Sequence, residues 1–325
     1  MNGRIIVSRV IVTGGAGFIG SHLVDRLVRD GYEVTVLDNF SSGDVSNLKE
    51  SLSTGRVNVV KADLKYWGDW VSEFKGAYAV FHLAANPEVR VSSVEPRSHF
   101  DNNLVATFNV AEAARVSDVK YIVFASSSTV YGDAKVLPTP EDHPIIPISV
   151  YGATKAAGEI ILDTYSRLYG IRVVNLRYAN IVGPRSRHGV IYDFYIKLTR
   201  NPRELEVLGD GSQRKSYLYV DDAVDASLFL FNKLINGSLQ EQAFNVGNKD
   251  WVTVMDIARI VIEELGLRNV NIVTRAMTPD GRGWLGDVKY MLLDVDKLSK
   301  LGWSPRYSSA DAVRLTIRWL KGNAP

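Results

Sequence analysis

Arg9-Val10-Ile11-Val12-Thr13-Gly14-Gly15-Ala16-Gly17-Phe18-Ile19-Gly20 decides the architecture. Arg9 to Thr13 is a short apolar run that predicts a strand, and it leads straight into a glycine-rich turn. Ser21 to Asp30 follows as a helix with Leu23, Leu27 and Val28 on one side, ending at Gly31. Glu33 to Leu37 alternates as a second strand and stops at Asp38-Asn39. Strand, turn, helix, strand and acid make a βαβ unit of about 30 residues. The glycine spacing is GxxGxxG rather than GxGxxG, and its physics is similar. Missing side chains allow a tight turn, close approach of backbone to a pyrophosphate, and close packing of helix on strand. Asp38 lies 18 residues past Gly20, near the ~20 expected of an acid that bonds a ribose 2′-hydroxyl. A carboxylate there disfavours a 2′-phosphate, so NAD is preferred over NADP.

The alternation of strand and helix continues. Val57 to Lys61 is a strand ending at Asp63-Leu64, where the acid suits either an adenine amino group or the N-cap of a following segment. Tyr78 to His82 is a strand leading to Leu83-Ala84-Ala85, small residues that let backbone approach a cofactor. His82 suits a packed strand end better than catalysis. Ser98 to Val116 is expected as one helix carrying Asn102 and Asn103, and Tyr121 to Ala125 as the next strand. Asp133 to Ser149 holds four prolines and is a surface loop. Val150 to Tyr169 is a helix and Ile171 to Arg177 a strand. Six or seven parallel strands with helices between them predict a doubly wound α/β fold, a mostly parallel Rossmann sheet. Such sheets bind ligands at the carboxyl ends of their strands. Beyond Gly183-Pro184 the rhythm loosens into a smaller mixed α/β lobe, with a helix started by Asp221 and another from Thr253 to Leu265.

At one such carboxyl end stand Ser126-Ser127-Ser128-Thr129-Val130-Tyr131-Gly132, and Tyr151 and Lys155 sit four apart on the next helix. That spacing puts both on one face. A tyrosine beside a cation loses its proton more easily, and a neighbouring serine can bond the same substrate oxygen. Together they are equipped to move a proton on or off a sugar hydroxyl. Alone, the pair is equally a solvated helix face.

Composition narrows the function further. The chain has 325 residues, 46% hydrophobic and 23% charged, with net charge +2, an ordinary globular balance that invites neither nucleic acid nor an anionic membrane surface. No cysteine is present, which excludes a disulfide frame, a thiolate nucleophile and a cysteine zinc site. Five histidines form no HExxH or HxxxH pair, so no metal is expected. No apolar run reaches the ~18–20 residues of a membrane span, and the cytoplasm is the expected location.

These motifs, in this order, are similar to those of the extended short-chain dehydrogenases/reductases that act on nucleotide sugars, and most closely to the UDP-glucose (UDP-galactose) 4-epimerases. The resemblance covers nearly the whole chain, through Arg282 to Val288. It implies NAD as a tightly bound cofactor, a UDP-sugar substrate and a homodimer. It divides the chain into an NAD-binding domain over residues 1–178, with a later segment of about 216–247 folded into it, and a nucleotide-sugar lobe over 179–325. By resemblance, Tyr151 is the general base, Lys155 its partner and Ser127 the hydroxyl that bonds the sugar 4-oxygen. Cofactor contacts are carried over to Gly14, Gly17, Phe18, Ile19, Gly20, Asp38, Asn39, Ser42, Gly43, Asp63, Leu64, Leu83, Ala84, Ala85, Asn102, Tyr151, Lys155 and Ala179.

The substrate would meet Ser127, Asn180 at its phosphates, Arg282 at its diphosphate, and either Arg214 or Lys215, since the arginine relatives carry here aligns with Lys215 while Arg214 stands one position early. Met291 would border the sugar and, being flexible, admit N-acetylated sugars. Dehydratases of this group carry Asp and Glu where this chain has Ser128 and Thr129. Without a carboxylic acid to protonate a leaving hydroxyl, epimerisation at C4 is favoured over dehydration. Reductase, decarboxylase, dehydratase and idle NAD-binding regulator are the alternatives. The dimer would use Ser98 to Val116 and Val150 to Tyr169 through Val105, Phe108, Ala156, Ile160 and Ile161, which could equally be core.

Overall fold

The computed structural model describes residues 8–239, 242–284 and 286–323; Leu285, inside the Arg282–Val288 motif, lies outside the described residues. The strands are β1 (Arg9–Thr13), β2 (Glu33–Asp38), β3 (Val57–Lys61), β4 (Ala79–His82), β5 (Tyr121–Ser127), β6 (Arg172–Tyr178), β7 (Asn180–Val182), β8 (Glu204–Leu208), β9 (Arg214–Lys215), β10 (Tyr217–Tyr219), β11 (Ala243–Val246), β12 (Val252–Thr253), β13 (Asn271–Arg275) and β14 (Tyr290–Met291). Seven form one parallel sheet in the order β11-β6-β5-β4-β1-β2-β3. The chain reverses its winding at β1, which pairs β2 on one side and β4 on the other. That reversal opens a crevice at the strand ends, where ligands of doubly wound sheets sit.

Two-residue periodicity sends alternate side chains to opposite faces. Val10 and Val12 of β1 join the core under helices Phe18–Arg29 and Val220–Ile235. Ile11 points the other way, into the core under helices Ala106–Val116 and Val150–Tyr169. Burial on both faces explains why these strands are apolar throughout rather than alternating. β11 comes from late in the chain and extends the sheet by pairing β6.

The remaining strands make small sheets, β10-β7, β12-β9-β14 and β13-β8. They pack with helices Gly189–Arg200, Val254–Leu265 and Ser309–Asn323 around a separate core containing Phe194, Ile257 and Ile317.

Three local expectations change. The helix expected over Ser98 to Val116 is broken by a π-helical stretch, Phe100–Val105, that contains Asn102 and Asn103; wider turns of this kind re-aim side chains at sites. The helix after β10 starts at Val220 with Tyr219 at its cap, so Asp221 sits in its first turn instead of capping it. Asp63 caps no helix, because the next one begins only at Asp69. Its carboxylate accepts from the Lys65 backbone N–H at 3.4 Å and pairs with the Lys65 ammonium at 3.1 Å.

Candidate active site

A cleft of about 1330 Å³ runs along the carboxyl ends of the sheet and under the smaller lobe. At its floor the glycine turn is held tight. Gly14 has φ +68°, and a Cβ there would lie 2.8 Å from the Ala84 backbone N; a Cβ on Gly20 would lie 2.1 Å from the Gly14 carbonyl oxygen. The backbone is bare because no side chain fits, which is the cradle a pyrophosphate needs. Asp38, at the end of β2, accepts from the Ala16 N–H at 3.0 Å and from the Phe40 N–H at 2.8 Å. These two bonds fix the carboxylate at the cleft wall, where a ribose would lie.

The ends of β1 and β4 are joined by a complete proton ladder. The Thr107 hydroxyl donates to the Asn103 carbonyl, so it accepts from His82 Nε2 at 2.9 Å. His82 Nδ1 then accepts from the Thr13 hydroxyl at 2.7 Å. That hydroxyl in turn accepts from the Leu83 and Ala84 N–H groups, both at 3.2 Å. Each donor hydrogen is used once, and the Thr13 hydroxyl oxygen accepts twice. Burial, then the nearby Lys155 charge, lowers His82 to about 3, so it stays neutral. It is the packed strand-end histidine expected, and it shapes the backbone of Leu83 to Ala85.

Ser149 caps helix Val150–Tyr169, accepting from the Gly152 N–H at 3.1 Å. The cap sets the rotation that brings Tyr151 and Lys155 to the cleft. Tyr151 lines the cleft beside Ser127, whose Oγ accepts from the Thr129 N–H at 3.2 Å and the Thr129 hydroxyl at 2.9 Å. Lys155 is only 3% exposed. Its ammonium donates to the Ala125 carbonyl at 2.7 Å and lies 5.9 Å from the Tyr151 ring centroid.

The expected lowering of Tyr151 is not what the chain produces by itself. Burial pushes its phenol up to about 12, outweighing the lowering by nearby Ser127. Burial also lowers Lys155 to about 8, partly countered by the Glu159 carboxylate. A desolvated site penalises both charges, and Lys155 spends a donor on backbone instead of on the phenol.

A buried network lies beneath Ser127. Glu159 accepts from the Ser126 hydroxyl and pairs with Arg177 of β6 at 2.7 Å. Arg177 also donates to Tyr131 Oη at 2.8 Å, and Tyr131 donates to Asn245 Oδ1 of β11 at 2.7 Å. Sequence reasoning missed Glu159, although it repeats the four-residue step from Tyr151 through Lys155 on one helix face.

All the carried-over cofactor positions line the cleft: Gly14, Gly17, Phe18, Ile19, Gly20, Asp38, Asn39, Ser42, Gly43, Asp63, Leu64, Leu83, Ala84, Ala85, Asn102, Tyr151, Lys155 and Ala179. Among the substrate positions, Ser127, Asn180, Lys215 and Met291 also line it. Arg214 and Arg282 do not. Arg214 is exposed and lies over the Trp251 ring, 5.6 Å from its centroid. Arg282 turns its fork to Asp133, at 3.0 and 2.9 Å, and its Nε to Asp280 at 2.6 Å. Two carboxylates and the Asp287 carbonyl occupy that guanidinium, which does not line the cleft. Between Arg214 and Lys215, Lys215 is the one at the wall, paired with buried Asp287 at 2.6 Å. Met291 is buried among Val130, Tyr131, Ala179 and Leu293. No cluster of metal-ligating side chains occurs among the described residues.

Residues 10–247 match the model of the NAD dependent epimerase/dehydratase family. The chain is 35% identical over 319 residues to a putative UDP-glucose 4-epimerase of Methanocaldococcus jannaschii, covering 97% of this chain and 99% of that one. A crystal structure of a UDP-galactose 4-epimerase is 54% identical, with a TM-score of 0.87 over 98% of this chain and 100% of the other. A Streptomyces venezuelae dTDP-glucose 4,6-dehydratase solved with NAD bound is 28% identical, with a TM-score of 0.88 over 97% of each chain. The bare glycine turn and the fixed Asp38 carboxylate suit the NAD that this family uses. The chain is a member of the NAD dependent epimerase/dehydratase family.

Proposed function

We propose that the protein interconverts C4 epimers of a UDP-hexose, UDP-galactose and UDP-glucose, with NAD retained through each cycle. The observation that carries this reading is that the Ser127 and Tyr151 hydroxyls line one cleft at a strand end whose next positions, Ser128 and Thr129, also bear hydroxyls. A sugar hydroxyl between such groups can lose and regain a proton, and no carboxylic acid stands at those two positions to expel a neighbouring hydroxyl as water.

When bound, NAD supplies the hydride acceptor and donor for the sugar carbon. The glycine turn and Asp38 would hold it. Tyr151 takes the proton from the 4-hydroxyl and returns it after the sugar turns over. Ser127 holds the 4-oxygen through the 4-keto stage. Lys155 braces the ribose side of the site while anchored to Ala125. The phenol, raised by burial, needs a cationic neighbour to ionise, so Tyr151 becomes a base only in the loaded site.

Helices Ala106–Val116 and Val150–Tyr169 expose Phe108 (47%) and Ile160 (63%), which supports a homodimer through these helices. Ala156, by contrast, is buried in the core.

Purified protein given UDP-galactose with no added cofactor should form UDP-glucose. A need for stoichiometric NADH would instead indicate a reductase.

A further inference from the structure

We propose that Arg90 is the cation that receives the substrate diphosphate, in place of Arg282 or Arg214. The proposal rests on the UDP-sugar reading above. Arg90 belongs to the loop that leaves the carboxyl end of β4, and it is exposed on the cleft wall. Its guanidinium reaches across to the lobe and lies over the Trp284 ring, 5.5 Å from the centroid. Lys215 lies 5.3 Å from the same centroid. Two cations therefore flank one indole at the cleft.

Only one of the two is uncompensated. Lys215 is paired with Asp287 at 2.6 Å, whereas Arg90 makes no ion pair among the described residues. Arg185, elsewhere on the wall, is paired with Asp25 at 2.8 Å, and Arg187, a second wall cation without an ion pair among the described residues, stands by Asp44 at the glycine turn rather than by Trp284. A diphosphate needs charge that is not already spent on the protein's own carboxylates. A guanidinium resting near an indole face, with none of its five donors spent on a carboxylate, can offer two of them to two phosphate oxygens.

The test is calorimetric titration of UDP into the NAD-loaded protein and its Arg90→Ala, Arg90→Lys and Arg214→Ala variants, with bound NAD per chain measured alongside. Arg90→Ala is expected to weaken UDP binding by about 10- to 100-fold, the worth of charge-assisted hydrogen bonds. It should raise KM for UDP-galactose with kcat within about 3-fold, a uniform binding loss, and leave NAD content unchanged. Arg90→Lys should fall between, and Arg214→Ala should match the wild type. For uridine, which has no phosphates, the Arg90→Ala difference should vanish. Wild-type affinity for UDP in Arg90→Ala, or loss of NAD from it, overturns the assignment. Failure of the wild type to bind UDP at all would reject the UDP-sugar reading itself, and Arg90's role with it.

Discussion

Glu159 and Arg177 are paired at 2.7 Å in the interior, one on the helix that carries Tyr151 and the other on the strand beside the one that carries Ser127. The pair ties the helix of Tyr151 to the sheet one strand away from Ser127. Removing one partner leaves a buried, unpaired charge. Glu159→Ala should therefore cost about 3–5 kcal/mol, read as a lower urea midpoint. The double variant Glu159→Leu, Arg177→Met should recover part of that loss. A single variant as stable as wild type would show that the pair holds nothing.

Lys155 is buried and lowered from 10.5 to about 8. Between those values the folded state binds fewer protons than the unfolded state, so this residue opposes folding below about pH 8 and opposes it less as pH rises toward 10.5. The shift is worth roughly 3 kcal/mol at pH 7, of which the bond to Ala125 offsets about 1. Lys155→Met should be inactive yet about 2 kcal/mol more stable at pH 7. Its advantage should fade by pH 10. Denaturant titrations at the two pH values check this, and a destabilised variant at pH 7 contradicts it.

Tyr151→Phe removes the proposed proton acceptor and keeps the ring. It should lower kcat by about 10²–10⁴-fold while nicotinamide absorbance released on denaturation stays at the wild-type level. Retained turnover would refute the base assignment.

Ile160 is exposed on helix Val150–Tyr169, on the face that the proposed dimer would cover. Ile160→Glu would place a charge in that interface without touching the core. Light scattering should then show monomer where the wild type is dimer. A wild type that is already monomeric rejects the dimer.

The sheet and the glycine turn were legible in sequence because their causes are local. Alternation, bare glycines and strand length act within ten or so residues, and helix Val150–Tyr169 and strand Val57–Lys61 have the expected bounds. What was hidden depends on distant partners. Arg282 looks like a ligand until Asp133, 149 residues away, is seen to hold it. Tyr151 beside Lys155 suggests an acidic phenol until burial of both reverses the balance. The π-helical stretch at Phe100–Val105 has no breaker to announce it. Arg90 and Trp284 come from different ends of the chain, and only the fold brings their side chains together.

The central claim is that a C4 hydrogen leaves the sugar and returns to the same carbon while Tyr151 moves only the hydroxyl proton. UDP-galactose deuterated at C4, turned over in ordinary water without added cofactor, tests it directly. The expected product is UDP-glucose that keeps its deuterium at C4. Product with hydrogen from solvent at that carbon would contradict the account.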